Sequence, residues 1–379
     1  MTITSDLGMD KKPTIALLGA GSGGACMAAD LIEQGFKVNL YELPQFEDSM
    51  QPFVDRGGIE ITGKITGFYE PNMMTINMEE ALEGVDIATM NVRAYAHDLF
   101  VEKAVPHLKK GQILHCWTPY AFALRFYETV KEKSPSTIIA ESAILPYFVK
   151  RDSPDVIHCH AYKLGNYVAA MPSNDTAKVL KALTPAMTTR GRFLKPASNV
   201  LATSLLNGNI NAHIPAILLS AREYEDTTGH VFIYGKHGTP LTKKVEYAIR
   251  DEARAICAYL GLENLLRCPY PPTKPGEETL ASHIWWAPDV RMLDLGCLQE
   301  DLPYGTVLIA EIGKALGVPT PVSRGVTDLF KTMLDVDYWQ EDKLGNPSAN
   351  LKTLGLDGLT KTEILKYVTT GESPQKKDD

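Results

Sequence analysis

Residues 14–44 read TIALLGAGSGGACMAADLIEQGFKVNLYELP and set the architecture of the first half of the chain. An apolar, β-type run leads into a glycine cluster, which is followed by a segment of helical periodicity and then by a second apolar run. This order predicts a strand, a helix and a second strand that pairs in parallel with the first.

The glycine cluster in this unit matches G-x-G-x-x-G at Gly19, Gly21 and Gly24. The first glycine permits a tight turn, the second lets a pyrophosphate approach the backbone, and the third lets the helix pack closely on the strand. The N–H groups at the start of the helix favour bound phosphate. We therefore predict that these glycines, together with Ser22 and Gly23, bind a dinucleotide, whereas a tight turn without ligand is the alternative.

Glu42 follows the glycines by about twenty residues, at the end of the second predicted strand, where a carboxylate accepts hydrogen bonds from the adenosine ribose. An acid at this position repels a 2′-phosphate, and residues 43–45 offer no guanidinium, so NAD is favoured over NADP. A solvated acid at the strand end is the alternative interpretation. Arg93, just past the fourth predicted strand, is a further candidate for cofactor binding.

Alternating strands and helices continue to about residue 190 and then give way to long helical segments. We predict an α/β Rossmann domain over residues 1–190, with a doubly wound and mainly parallel sheet. An all-α domain is predicted over residues 191–370, and a tail that frays over residues 371–379. The predicted helices of the second domain span residues 198–225, 242–261, 306–316 and 323–333.

Composition narrows the class of protein. The 379 residues include 38 basic and 46 acidic ones, and this net charge of −8 disfavours nucleic-acid binding. No window approaches the roughly 18 apolar residues of a membrane span, and the first residues lack the pattern of a secretory signal. The six cysteines show neither disulfide-scaffold density nor metal-site spacing. We expect a cytoplasmic protein that acts on small molecules, without a metal.

A histidine in the second predicted domain is the main candidate for chemistry. The segment TSLLNGNINAHIPAILLSAREYE, residues 203–225, places Asn209 and His213 one turn apart on an otherwise apolar helix. Transfer of a hydride to a carbonyl or imine carbon calls for a nearby proton donor, and imidazole suits this role near neutral pH. On the helix pattern alone, a packed core or interface histidine is the commoner interpretation.

The glycine motif and this helix combine with AYAHDLFVEKAVPHLKKGQIL, QEDLPYG, ALGVPTP and GLDGLTKTEI in a way that resembles the opine dehydrogenases over residues 14–368. Enzymes of this family have an NAD(P)-binding Rossmann domain and a helical domain, and they reductively couple an amino acid to a 2-oxo acid. The resemblance implies that His213 is catalytic, that Asp301 is the acid paired with it, and that Asn209 lies on the substrate side.

The sequence departs from the family at two places that concern the substrate. An Arg-Tyr pair, whose Arg binds the oxo-acid carboxylate, normally precedes Glu-Asp, but here the stretch reads MLDLGCLQED. Arg93, Arg291 and Arg324 are candidates to replace it. The glycine-rich loop after the fifth strand is replaced by a bulkier apolar segment that begins at Trp117, a candidate for the substrate pocket.

Three functions remain open at this point. The main hypothesis is an NAD-dependent, opine dehydrogenase-like enzyme that joins an amine to a 2-oxo acid or ketone. The missing arginine motivates an alternative, a dehydrogenase of a secondary alcohol or ketone without an amine. A non-catalytic NAD-binding sensor is the third. A homodimer formed through the helical domain is a further expectation.

Overall fold

The computed structural model of the chain describes residues 12–225, 230–231, 238–263, 265, 285–286 and 295–373. Contacts divide the chain into two compact units. The first comprises mainly Met1–Val92 and Ala96–Val200, and the second mainly Arg93–Tyr95, Leu201–Arg267 and Pro272–Asp379. Residues 193–196 add one more strand to the first unit, which extends to Val200. Residues 374–379 of the predicted tail lie outside the described residues.

The first unit contains twelve described strands and six α-helices. The strands are β1 (Thr14–Leu18), β2 (Lys37–Tyr41), β3 (Ile59–Gly63), β4 (Gly67–Tyr69), β5 (Met73–Thr75), β6 (Ile87–Met90), β7 (Ile113–Cys116), β8 (Ile138–Ser142), β9 (Tyr147–Ser153), β10 (Val156–Tyr162), β11 (Gly165–Met171) and β12 (Phe193–Pro196). The helices are α1 (Ser22–Glu33), α2 (Gln51–Arg56), α3 (Met78–Leu82), α4 (His97–Ala104), α5 (Phe122–Lys133) and α6 (Thr176–Met187).

Eight of these strands form the main sheet, in the order β12-β11-β8-β7-β6-β1-β2-β5. Every pair is parallel except β11 with β8. The predicted mainly parallel sheet is therefore confirmed, and its β1–α1–β2 unit carries the glycine cluster. Strands β6, β1 and β2 are almost fully buried, which explains their continuous apolar sequence.

A second sheet, which the sequence analysis did not predict, forms in the order β4-β3-β10-β9. Strands β9 and β10 make an antiparallel hairpin, and both pack against α1. The helix that follows the glycine cluster is therefore covered by a separate layer.

The second unit is built mainly from helices. They are α7 (Val200–Leu205), α8 (Gly208–Leu219), α9 (Ala221–Glu225), α10 (Pro240–Leu260), α11 (Leu298–Asp301), α12 (Val307–Leu316), α13 (Pro321–Leu334) and α14 (Lys361–Thr370). The two-residue strands β13 (His230–Val231) and β14 (Trp285–Trp286) pair antiparallel. No helix within the described ranges is long and apolar enough to cross a bilayer.

The prediction of one continuous helix over residues 198–225 is wrong, since three helices occupy this stretch. The first break comes at Asn207, whose side-chain oxygen accepts a hydrogen bond from the backbone N–H of Asn209 at 3.1 Å. Such a cap starts a new helix at Gly208. The second break, at Ser220, ends α8. Asn209 and His213 nevertheless lie one turn apart on α8, as predicted.

Candidate active site

The glycine cluster forms a tight turn between β1 and α1. Gly19 has a φ of +106°, and a Cβ on Gly24 would stand 1.9 Å from the Gly19 carbonyl oxygen, so neither position accepts a side chain. The space around Gly21 is open to 4 Å, and helix α1 begins at Ser22 without a side-chain cap. An open turn at a helix N-terminus that no side chain caps fits a bound pyrophosphate.

Asn91, which the sequence analysis did not single out, lies beside this loop. Its Oδ1 is 3.0 Å from the point at which a Cβ on Gly23 would stand, so its amide closely borders the turn. The residue is 8% exposed, and its Nδ2 has no hydrogen-bond partner among the described residues. A buried donor of this kind calls for an acceptor, and a bound cofactor would supply one. A polar residue immediately after a buried strand was the available sequence signal.

Glu42 is buried and turned back toward the glycine loop. Its Oε2 accepts a hydrogen bond from the Ala20 N–H at 2.8 Å, and its Oε1 accepts one from the Leu43 N–H at 2.9 Å. Burial raises the pKa of this carboxyl, while the nearby charge of Arg151 opposes the shift. Glu42 therefore holds the loop in place, in addition to its predicted role toward the ribose.

Arg151 places a guanidinium near Glu42, although residues 43–45 contain no arginine. It extends from β9 and donates to the carbonyl oxygens of Ser49 at 2.9 Å and Ala20 at 3.1 Å. The negative charge of Glu42 is thus partly balanced by Arg151, which is distant from it in the sequence.

The second unit brings His213 and Asp301 together. The Nδ1 atom of His213, on α8, lies 2.8 Å from Oδ2 of Asp301, the last residue of α11. The side chain of His213 is 10% exposed and that of Asp301 is fully buried. Because an ionised carboxylate can only accept, Nδ1 carries the proton in this contact, and the ring orientation is fixed. Asn209 is partly buried one turn earlier on the same helix.

Glu300, adjacent to Asp301, forms a second charge pair in the same unit. Its Oε1 lies 2.6 Å from Nη1 of Arg93, and its Oε2 accepts a hydrogen bond from the Ala94 N–H at 3.1 Å. The carboxylate is 4% exposed and raises the pKa of the Arg93 guanidinium. Arg93 is a candidate from the sequence, whereas no role was predicted for Glu300 itself.

The other substrate-binding candidates have different surroundings. Trp117 is 2% exposed and lies in the apolar core of the first unit, with its ring edge-to-face against His115 at 4.5 Å. The guanidinium of Arg324 lies 4.8 Å from the ring centre of Trp339, a packing contact within the second unit. Arg291 lies outside the described residues. Substrate contacts by these three residues stay predictions.

Comparison with known proteins agrees with both halves of this description. Residues 196–334 match the family model of the NAD/NADP octopine/nopaline dehydrogenase alpha-helical domain. The chain is also 27% identical over 373 residues to the opine dehydrogenase of Arthrobacter sp. (strain 1C), an alignment that covers 95% of this chain and all of that protein. The resemblance to the opine dehydrogenases is confirmed.

Solved opine dehydrogenase structures confirm the predicted fold class. An octopine dehydrogenase with NADH and L-arginine superposes with a TM-score of 0.69 at 15% identity, covering 95% of this chain and 98% of that one. A yersinopine dehydrogenase bound to NADP⁺ gives 0.65 at 15% identity, covering 95% and 99%. An N-terminal dinucleotide-binding fold followed by a helical domain is thus shared with opine dehydrogenases across nearly the whole chain.

Proposed function

We propose that the chain reductively couples an amine to a 2-oxo acid or ketone, with His213 and Asp301 as its acid–base pair. The family model and the relatives confirm the broader class, an NAD(P)-dependent dehydrogenase that acts on a CH–NH group. The observation that carries the finer proposal is the buried 2.8 Å contact between His213 Nδ1 and the Asp301 carboxylate. This contact provides a proton-transfer group whose charged form is stabilised.

The chemistry assigned to this pair is the loss of water. Amine and carbonyl first add to give a carbinolamine, and His213 donates a proton to its hydroxyl so that water leaves and an iminium forms. Asp301 stabilises the imidazolium before that transfer. The glycine loop, Asn91 and Glu42 would hold the phosphate and adenosine parts of a reduced dinucleotide, which would supply the hydride that the iminium carbon accepts. In the reverse direction, His213 takes a proton from the attacking water.

The proposal is tested by following NADH oxidation with a panel of 2-oxo acids and ketones, with and without amino acids. We expect oxidation only when both an amine and a carbonyl compound are present, together with a secondary amine product detected by mass spectrometry. Oxidation by a carbonyl compound alone would instead establish the dehydrogenase without amine coupling. Cofactor binding without turnover of any pair would establish the sensor.

We further propose that NADH is preferred over NADPH because of Glu42. The substitution Glu42→Gln keeps an acceptor for the Ala20 N–H but removes the charge that repels a 2′-phosphate. We expect the ratio of NADPH to NADH dissociation constants to fall by about tenfold, or about 1.4 kcal/mol. Fluorescence titration with each cofactor measures this ratio.

Glu47→Gln is the matched control, since Glu47 is an exposed acid in the turn that follows. Equal shifts in the two variants would show that Glu42 has no specific role in cofactor selection.

A further inference from the structure

Arg93 follows β6 along the chain, but its contacts assign it to the helical unit. Its Cζ and Nε atoms lie 3.5 Å from the point at which a Cβ on Gly296 would stand. The guanidinium therefore lies in van der Waals range above a residue that has no side chain of its own.

The hydrogen bonds of Arg93 use only part of its capacity. A guanidinium has five N–H donors, and here Nη1 is bonded to Glu300 at 2.6 Å. In the part of the chain that the structure describes, Nε and Nη2 have no acceptor, and the side chain is 48% exposed. The edge formed by Nε and Nη2 is suited to a carboxylate, which it binds through two parallel hydrogen bonds.

Glu300 explains how this edge is kept in place. Its carboxylate is almost fully buried and also accepts from the Ala94 N–H, so it fixes both the side chain and the backbone next to Arg93. A buried carboxylate of this kind needs a cationic partner, and Arg93 provides it. Glu300 thereby holds the guanidinium through Nη1, and the edge formed by Nε and Nη2 is left for a ligand.

The Arg93–Glu300 pair is connected to the acid–base pair through one peptide bond. Glu300 and Asp301 are consecutive on α11, so their Cα atoms are about 3.8 Å apart. Each carboxylate holds one cationic or protonated partner, Arg93 in one case and His213 in the other. The two charge pairs are therefore carried by consecutive residues of one short helix.

We propose that Arg93 binds the carboxylate of the carbonyl substrate and that Glu300 is its positioning residue. This inference rests on the proposed function and narrows it, because it makes a 2-oxo acid the substrate and excludes a neutral ketone as the preferred one. Of the two roles that the sequence suggests for Arg93, cofactor binding and carboxylate binding, it selects the second.

A binding experiment tests this without depending on turnover. Oxamate and pyruvate, each an anion with a carbonyl next to its carboxylate, are titrated into the enzyme–NADH complex, and binding is followed by nicotinamide fluorescence. We expect Arg93→Gln to weaken the binding of both anions by about 30-fold, the loss of hydrogen bonds to a charged group. The NADH dissociation constant should stay within about twofold. Arg93→Lys keeps the charge beside Glu300 but loses the fork, and we expect about tenfold weaker binding.

Glu300 is tested by a double-mutant cycle. Glu300→Gln should weaken oxamate binding less than Arg93→Gln does, and the double variant should lose no more than Arg93→Gln alone, because Glu300 acts through Arg93. Additive losses would contradict the positioning role. The double variant also removes the unpaired buried charge that could hinder folding of Arg93→Gln.

The matched control is Arg254→Gln. Arg254 has a side chain that is 40% exposed and contacts Asp251 on α10 of the same unit. The Arg254→Gln variant should leave oxamate binding unchanged.

The proposal is overturned if Arg93→Gln changes NADH affinity instead of oxamate affinity, if its effect on oxamate binding equals that of the control, or if the wild-type complex binds neither anion. A kinetic readout adds to this, since Arg93→Gln should lower kcat/KM for pyruvate far more than for its neutral methyl ester. Amine-independent turnover would contradict the proposed coupling but not the role of Arg93.

Discussion

Replacing His213 with alanine should lower kcat for the reductive reaction by about 10³-fold, in the middle of the range for loss of a general acid or base. The imidazole of His213 is held by the buried Asp301 carboxylate at 2.8 Å. In the proposed mechanism, His213 is the group that protonates the carbinolamine hydroxyl so that water can leave. NADH affinity should change by less than about twofold, because the glycine loop and Glu42 belong to the other unit. Steady-state kinetics and fluorescence titration measure the two quantities.

Two further measurements separate catalysis by His213 from a structural role. Free imidazole added to His213→Ala should restore part of the rate, because a small molecule can occupy the vacated space and carry the proton. Asp301→Asn keeps the shape of the partner but removes its charge, and we expect it to lower kcat by about 10²-fold or more. If His213→Ala retained wild-type turnover, the acid–base assignment would be wrong.

Features encoded by neighbouring residues could be predicted from the sequence. The β1–α1–β2 unit is specified by local apolar runs and by glycines whose spacing has a steric reason, visible in the 1.9 Å approach at Gly24. His213 was identifiable because a polar residue on an apolar helix needs a partner. Its particular partner, Asp301, is 88 positions away and was named only through the family resemblance.

Features that depend on distant contacts could not be predicted. The Arg93–Glu300 pair joins residues 207 positions apart, and neither position is unusual in its local sequence. Arg151 reaches the region of Glu42 from the second sheet, across 131 positions to Ala20. The break at Asn207 was missed for a different reason, because the strong helical periodicity on either side of it concealed the Asn-Gly cap.

Asp30→Asn should destabilise the first unit by about 3–5 kcal/mol, the effect of breaking a buried ion pair. Asp30 lies on α1 and is fully buried. Its carboxylate accepts hydrogen bonds from the Tyr147 hydroxyl, from Nη2 of Arg192 at 2.7 Å and from Nε of Arg190 at 3.2 Å. The side chain of Arg192 is 1% exposed, so loss of the carboxylate charge removes the ion-pair partner of a buried cation. Urea unfolding followed by circular dichroism measures the change.

The matched control is Asp175→Asn, which removes one partner of the more exposed Asp175–Lys178 pair and should cost less than about 1 kcal/mol.

Burial raises the pKa of Asp30, but Arg192 and the hydrogen bonds outweigh it and lower the pKa below its ordinary value. Asp30 therefore contributes stability above about pH 4, and this contribution is lost as the pH falls through the folded-state value. The Asp30→Asn variant should accordingly show a flatter loss of stability in acid than the wild type. Equal destabilisation by Asp30→Asn and the control would mean that this cluster does not anchor α1 to the second sheet.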